Sequence, residues 1–209
     1  MYVQIKLSLY KCRKYCSMDT ESICLFDMDG VLCAYEEALS SSMAFLKSPE
    51  EPEFVGVPKD DAPVYLRARA NLIRSSVEWW AGLPKLQLGF DVWEIAEDLG
   101  YRRMILTQGP KRNPNAWSGK KIWIDNNLGQ DVDITITRDK GLVYGKVLVD
   151  DWPEYVLRWL KWRPRGLVIM PASRTNADFQ HKQVIRYDGS NLEQVRDSMA
   201  KALLNKKNV

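Results

Sequence analysis

The stretch "SICLFDMDGVLC", residues 22–33, decides the fold of this chain. Its apolar run Ile23–Phe26 has the length and composition of a short buried strand. Asp27 and Asp29 follow one residue apart, and Gly30 comes next. Neighbouring carboxylates repel each other and resist joint ionisation. Two of them at the mouth of a buried strand therefore predict a nearby counter-charge, and a divalent cation is the obvious candidate.

Size and composition narrow the class of protein. A chain of 209 residues is long enough for one domain with a small insertion. The formal net charge of +3 is too mild for a dedicated nucleic-acid binder, although it suits a small anionic substrate. No apolar run is long enough to span a membrane, so we expect a cytoplasmic protein. The single histidine, His181, argues against a histidine-based triad or zinc enzyme.

The cysteines and the first residues of the chain favour a protein of the reducing cytosol. The four cysteines are Cys12, Cys16, Cys24 and Cys33. We interpret them as free thiols of the cytosol. A metal site at the first two stays an alternative, although no second cysteine or histidine pair completes it. Residues 1–17 lack the pattern of a signal peptide, and we interpret them as an extension that is compatible with mobility.

Strand and helix patterns alternate from Ile23 onward, which predicts an α/β fold with a parallel sheet. Strands are predicted at 23–27, 102–107, 133–137, 145–151, 166–170 and 183–188. Helices are predicted at 35–47, 64–80, 116–128, 152–162 and 191–205, with another that ends at Gly100. We expect residues 18–34 and 84–209 to form the core and residues 35–83 to form a helical cap over the site.

Polar and acidic residues occur where the predicted strands end. In an open parallel sheet, ligands bind at the carboxyl ends of the strands. Acids, one hydroxyl and a lysine should therefore meet in one crevice, which suits magnesium and a phosphoryl group. These residues are Asp27, Asp29, Thr107, Lys120, Asp150 and Asp151.

Simpler explanations exist for each part of this pattern. Asp-x-Asp-Gly also occurs in calcium loops, but the later loop acids and the terminal glutamate are missing here. The paired aspartates before Trp152 could merely cap a helix. Thr107 alone would be an ordinary strand residue, and Lys121 points elsewhere on the helix than Lys120. The joint occurrence of the parts favours a site.

The order of these motifs resembles the haloacid dehalogenase (HAD) superfamily of phosphatases. "DMDGVL", a strand ending in threonine, a lysine and then "DD" match from about Ile23 to Asp151. "KKIWIDNNLG", "TITRDKGLV" and "KVLVDD", in that order, are similar to its 5'(3')-deoxyribonucleotidase branch. The resemblance implies a Rossmannoid three-layer parallel sheet with a small, mainly helical cap inserted after the first strand. It is compatible with a homodimer.

The resemblance implies a magnesium-dependent phosphomonoesterase acting on nucleoside monophosphates, with 5'(3')-deoxyribonucleotides as the expected substrates. Asp27 would be the nucleophile that forms an aspartyl phosphate, and Asp29 the general acid and base. Thr107 would bind a phosphoryl oxygen, and Lys120 would neutralise developing charge. The implied magnesium ligands are Asp27, the main chain at Asp29, Asp150 and Asp151.

Further residues are implied to bind the substrate. They are Tyr35, Thr107, Gln108, Lys120, Arg138 and Lys140. Tyr35 stands where the branch has an aromatic residue against the nucleobase. Gln108 departs from the family, which has a small hydroxyl residue there, and Gly109 would let main-chain amides approach the phosphate.

Other cap residues and two rival functions stay open. Tyr65, Trp79 and Trp80 are additional cap candidates, although a tryptophan there also suits core packing. The arginines of the cap could be a solvated helix face; they are Arg67, Arg69 and Arg74. One rival is a HAD phosphatase for another small phosphomonoester such as a phosphosugar. The other is a catalytically silent nucleotide-binding protein.

Overall fold

The computed structural model describes residues 21–204. The predicted extension at residues 1–17, with Cys12 and Cys16, lies outside this range. Within it, Cys24 and Cys33 are buried free thiols. No helix between residues 21 and 204 combines the length and the apolar character that crossing a lipid bilayer requires.

The described residues contain one parallel sheet in the order β3-β2-β1-β4-β5-β6. Its strands are β1 (Ile23–Phe26), β2 (Arg102–Thr107), β3 (Ile134–Ile136), β4 (Val147–Val149), β5 (Leu167–Pro171) and β6 (Val184–Tyr187). β1 is central: Phe26 pairs with Ile105 of β2 on one side and with Val149 of β4 on the other. This topology and the helices around it confirm the predicted α/β fold class.

Helices occupy the connections between the strands. They are α1 (Tyr35–Phe45), α2 (Val64–Arg74), α3 (Val77–Ala81), α4 (Gln87–Asp98), α5 (Pro114–Leu128), α6 (Pro153–Lys161) and α7 (Leu192–Leu204). Two short 3₁₀ turns lie at Lys140–Leu142 and Arg174–Asn176.

Alternate residues of β1 face opposite layers of the molecule. Cys24 and Phe26 belong to a core cluster that includes Trp123 of α5, whereas Leu25 belongs to a second cluster with Trp159 of α6. All three β1 residues are buried, because a parallel sheet covered on both faces has no solvent side. The apolar run Ile23–Phe26 is therefore a central strand of a three-layer structure.

The prediction of one continuous helix over residues 64–80 was wrong. α2 ends at Arg74 and α3 begins at Val77. Ser76 adopts an extended conformation, and its hydroxyl oxygen accepts a hydrogen bond from the Trp79 N–H at 3.1 Å. Serine side chains satisfy the free N–H groups at a helix start, so this residue begins a new helix.

The helices α1 and α2 share a small apolar cluster, against which Trp79 of α3 also packs. Its buried members are Leu39, Met43, Leu66, Ala70 and Ile73. The exact extent of a cap at residues 35–83, over a core of residues 18–34 and 84–209, stays a prediction.

Candidate active site

The carboxyl ends of the three central strands meet at one edge of the sheet. Asp27 directly follows β1, and its N–H still donates to Val149 O at 2.9 Å. Thr107 is the last residue of β2, and Asp150 directly follows β4. All three are buried. The predicted convergence of strand-end residues is thus a consequence of the parallel register.

Lys140 joins the two buried aspartates of this edge. Its Nζ lies 2.7 Å from Asp27 Oδ2 and donates to Asp150 Oδ2 at 2.6 Å. Burial lowers the pKa of Lys140, but the charges of Asp150 and Asp27 outweigh it and raise that pKa above its usual range. The ring of Tyr155 packs against the ammonium at 4.9 Å. Lys140 therefore stays charged between the two carboxylates.

Lys120, on α5, forms a second polar centre beside the first. Its Nζ donates to Asp29 Oδ2 at 2.7 Å, to Thr107 Oγ1 at 2.8 Å and to Gln108 O at 3.0 Å. An ammonium has three N–H donors, and these three bonds use all of them. This matters because the lysine is fully buried and has no water to bind. The predicted partners Asp29, Thr107 and Lys120 are in direct contact.

The environment of Asp29 favours its protonated form. Burial raises the pKa of its carboxyl group, Lys120 opposes that effect, and the charge of Asp27 raises the pKa further. A raised pKa is the direction that a general acid requires.

Three carboxylates form a group that fits a divalent cation. Ligand oxygens of Asp27, Asp150 and Asp151 lie within 4.8 Å of one another. Asp27 Oδ1 is buried and accepts no hydrogen bond from any residue between 21 and 204. Three carboxylates against the single ammonium of Lys140 leave two negative charges, which Mg²⁺ would balance. The chemistry of the donors, all oxygen, also suits Mg²⁺.

Burial also shifts the pKa values of this acidic group. Burial raises the pKa of Asp150 to about 6, and Lys140 opposes the rise. Burial raises the pKa of Asp151 as well, and the charges of Asp150 and Asp27 add to it. Asp29 is outside this group, because its carboxylate bonds Lys120. Its expected contribution through the main chain stays a prediction.

Gly30 is required by the approach of Asp151. Its φ is +74°, a conformation that side chains other than glycine rarely adopt. A Cβ at this position would lie 2.4 Å from Asp151 Oδ2. The glycine of the Asp-x-Asp-Gly motif therefore makes room for an acid from another strand.

Gly109 has a packing role that the sequence argument did not anticipate. A Cβ there would lie 2.4 Å from Cε2 of the Trp117 ring, whose Nε1 donates to Pro110 O at 3.1 Å. The adjacent Gln108 contributes its main-chain oxygen to Lys120. Phosphate binding by the amides of this loop stays a prediction.

The remaining substrate-binding candidates divide into two places. Arg138 donates to Gly109 O at 3.4 Å and so lies beside the loop after β2. Tyr35 begins α1; its ring stacks on Trp80 with centroids 5.4 Å apart and meets Trp79 edge-on at 5.8 Å. Burial raises the pKa of Tyr35, Arg74 lowers it, and Asp29 raises it.

Other cap residues serve the cap itself. The Arg74 guanidinium donates to Tyr35 Oη at 3.4 Å, so it is not merely solvated. Arg69 pairs with Glu51 at 2.7 Å, and its guanidinium lies 5.9 Å from the centroid of the Tyr65 ring.

Two residues of the site escaped the sequence argument. Tyr155 packs on Lys140, and Asn176 binds the main chain of Asp151. Neither belongs to a strand end or to a motif of the resembled family. The only local signal at Asn176 is the pattern Ser-x-x-Asn from Ser173, which predicts a capped turn and not its contact with the acid.

Sequence comparison finds relatives that share one name. The chain is 29% identical over 141 residues to a Bordetella pertussis protein named "Putative 5'(3')-deoxyribonucleotidase", which covers 62% of this chain and 73% of that protein. A Bordetella bronchiseptica protein of the same name is 28% identical over 137 residues, with the same two coverages, 62% and 73%. No protein-family model matches the chain.

The fold has a counterpart among solved structures. A haloacid dehalogenase-like hydrolase from Burkholderia xenovorans LB400 superposes with a TM-score of 0.53 at 13% identity, over 88% of this chain and 99% of that chain. The fold of the chain is thus HAD-like, and the predicted resemblance is confirmed.

Proposed function

We propose that the chain is a magnesium-dependent phosphomonoesterase that removes phosphate from nucleoside monophosphates, with deoxyribonucleotides as the preferred class. The observation that carries the proposal is the pairing of two aspartates with two different lysines at one sheet edge. Asp27 contacts Lys140, and Asp29 contacts Lys120, at 2.7 Å each. The two carboxylates therefore have different surroundings, and we assign them different steps.

The first half-reaction transfers the phosphoryl group to the protein. A carboxylate oxygen of Asp27 attacks phosphorus, and the new O–P bond forms as the bond from phosphorus to the ester oxygen breaks. Asp29, as the carboxylic acid, gives its proton to that oxygen, so the alcohol leaves neutral. Lys120 and Thr107, which already share a hydrogen bond of 2.8 Å, face the charge that develops on the phosphoryl oxygens.

The second half-reaction restores the protein. Water attacks the phosphorus of the aspartyl phosphate while the Asp29 carboxylate accepts a proton from it. The bond from phosphorus to Asp27 breaks, inorganic phosphate leaves, and Asp27 is again a carboxylate. Asp29 ends protonated, as it began. The sum is the conversion of a phosphomonoester and water into an alcohol and phosphate.

The acidic group would hold the cation that this chemistry needs. The groups that would hold Mg²⁺ are Asp27, Asp150, Asp151 and the main chain at Asp29. Bound Mg²⁺ supplies positive charge that offsets the repulsion between a carboxylate and a phosphate dianion. Lys140 neutralises part of the same charge, and it leaves Asp27 Oδ1 without a partner among residues 21–204.

A nucleotide substrate is supported by two observations. The Bordetella relatives are named as deoxyribonucleotidases. In addition, Tyr35 at the start of α1 and Trp79 of α3, both half-buried, pack around the buried ring of Trp80, with ring centroids 5.0 to 5.8 Å apart. The exposed parts of the Tyr35 and Trp79 rings can stack on a flat base.

A substrate panel tests the proposal against both rivals. Phosphate release would be measured with deoxynucleoside and ribonucleoside monophosphates, sugar phosphates and p-nitrophenyl phosphate, each with Mg²⁺ and with EDTA. We expect the highest kcat/KM on deoxynucleoside monophosphates and no turnover with EDTA. A preference for sugar phosphates would establish the first rival. Nucleotide binding without release of phosphate from any compound would establish the silent one.

A further inference from the structure

Asn176 is a buried amide whose hydrogen bonds converge on the acidic edge. It ends the 3₁₀ turn Arg174–Asn176 and is 1% exposed. Its Nδ2 donates to Asp151 O at 3.0 Å and to Pro171 O at 2.9 Å. Its Oδ1 accepts from Ser173 N at 3.0 Å and from Arg186 Nε at 3.3 Å. Both donors and both acceptor sites of the side chain are in use.

These bonds tie the ends of two neighbouring strands together. Pro171 closes β5, and Asp151 lies two residues beyond the end of β4. The β4–β5 pairing ends at Val149 and Ile169, so the sheet ladder itself does not hold the carbonyl of Asp151. A partly buried carbonyl without a partner loses hydrogen bonding to water, and Asn176 supplies the donor.

The carboxylate of Asp151 depends on its main chain for its position. Between residues 21 and 204, no side chain forms a salt bridge with it or donates a hydrogen bond to it. Its oxygens instead pack closely over the Cα of Gly30, where a Cβ would clash. Asp150 and Asp27, whose ligand oxygens lie within 4.8 Å of its own, repel it. Repulsion would move this acid away unless its backbone were fixed.

We propose that Asn176 is a positioning residue for Asp151, which it holds within reach of a cation shared with Asp27 and Asp150. The inference rests on the magnesium site of the proposed function. Asn176 does not touch the cation or the substrate; it acts through the main-chain oxygen of Asp151. Removal of groups that orient metal ligands typically costs about 10–100-fold in metal affinity or activity. Because Asn176 contacts neither Asp27 nor Asp29, we expect its effect to appear in metal affinity.

The test is Mg²⁺ affinity, measured by isothermal titration calorimetry on the purified chain, without substrate. We expect Asn176→Ala to raise the Kd for Mg²⁺ about tenfold, in the range seen when such supporting groups are removed. The Mg²⁺ concentration for half-maximal phosphatase activity should rise by the same factor. The kcat at saturating Mg²⁺ should return towards the wild-type value, because Asp27 and Asp29 are unchanged.

Asn191→Ala is the matched control. Asn191 also donates from Nδ2 to a main-chain carbonyl, Arg186 O at 3.0 Å, but does not contact the acidic edge. A stability loss alone would affect both variants, whereas only Asn176→Ala should change the Kd for Mg²⁺. Thermal unfolding of both metal-free variants measures that shared structural cost. If Asn176→Ala binds Mg²⁺ as tightly as the wild type, the inference is wrong.

A second variant covers the case in which Asn176→Ala does not fold. Asn176→Asp keeps the shape of the side chain and both acceptor bonds, but it removes the two N–H donors. It should weaken Mg²⁺ binding although it adds a negative charge, and unchanged or tighter binding would overturn the inference. A wild-type chain that binds no Mg²⁺ would instead refute the magnesium site of the proposed function, so the two failures are distinguishable.

Discussion

At the scale of single residues, the two aspartates after β1 are tolerated because each has its own ammonium group. Lys140 approaches Asp27 and Asp150 from the side of β4, and Lys120 approaches Asp29 from α5. Each ammonium offsets part of the repulsion between the two neighbouring carboxylates. In the proposed mechanism, Asp27 acts as the ionised nucleophile and Asp29 carries the proton.

The first prediction concerns the proposed nucleophile. Asp27→Asn should abolish turnover, because an amide does not attack phosphorus under these conditions, while the fold persists. Steady-state kinetics and trapping of a labelled aspartyl phosphate would measure this. Asp98→Asn is a suitable control, since Asp98 pairs on the exposed surface with Arg196. Turnover by Asp27→Asn near the wild-type rate would show that another residue is the nucleophile.

The second prediction concerns Lys140. Lys140→Met leaves two buried carboxylates unpaired, and we expect the free energy of unfolding without metal to fall by about 3–5 kcal/mol. Added Mg²⁺ should restore part of this loss, since a ligand that binds only the folded state stabilises it. Urea denaturation with and without Mg²⁺ measures both effects.

Lys121→Met is the control for that variant, because it makes the same lysine-to-methionine change at an exposed position. Lys121 is 44% exposed and pairs with Asp125 one helical turn away. Such a surface pair contributes little, so a change within about 0.5 kcal/mol is expected. Equal losses in both variants would mean that Lys140 does not balance the acidic edge.

At the scale of elements, the break between α2 and α3 sets where the aromatic residues of the cap lie. Trp79 and Trp80 belong to α3, which starts anew at the Ser76 cap. The main-chain oxygen of Arg74, at the end of α2, accepts from Trp80 Nε1 at 2.8 Å and from Asn113 Nδ2. These bonds connect the break between α2 and α3 to the loop before α5. Lys120 lies on α5 itself.

The third prediction tests that bend. Ser76→Ala removes the cap of α3 and should lower the free energy of unfolding by about 1 kcal/mol. Ser75→Ala is the control, because the Ser75 hydroxyl only donates to Leu72 O on an exposed face. Chemical denaturation of both variants compares them. If the two serines contribute equally, the cap of Ser76 does not stabilise this helix.

At the scale of the whole molecule, the proposed reaction needs both the sheet edge and the helices between β1 and α4. The acids and Lys140 come from the sheet edge and its loops, and Lys120 comes from α5. The aromatic group of Tyr35, Trp79 and Trp80 comes from α1 and α3. In the proposed complex, phosphate lies at the acidic edge, and the base packs against Tyr35.

The fourth prediction separates these two contributions. Tyr35→Ala should lower kcat/KM on deoxynucleoside monophosphates about tenfold, because stacking of a base on an aromatic ring is worth about 1–3 kcal/mol. Activity on p-nitrophenyl phosphate should fall much less. The loss should appear mainly in KM if the contact is equal in the ground and transition states.

Tyr35→Phe distinguishes stacking from the hydroxyl contact. It keeps the ring on Trp80 and removes only the bond from Arg74, which is 3.4 Å long. We expect near wild-type kinetics on nucleotides. A loss in Tyr35→Ala of the same size on both substrates would mean that the ring supports packing and not base recognition.

The sequence by itself determined the α/β class and the placement of acids at strand ends. Both follow from local patterns: apolar runs predict buried strands, and in a parallel sheet the residues after each run lie at one edge. The tandem strand and helix pattern also located all six strands between residues 21 and 204, with small shifts at their ends. The roles assigned to the site residues stay predictions.

Only the tertiary structure decided which groups are partners. Lys120 and Lys140 are both basic residues in the same stretch of sequence, yet one contacts Asp29 and the other Asp27. The contact of Asn176 with Asp151 spans 25 residues and depends on how β4 and β5 end side by side. Contacts of this kind arise from the packing of separate elements, and a local pattern carries no information about them.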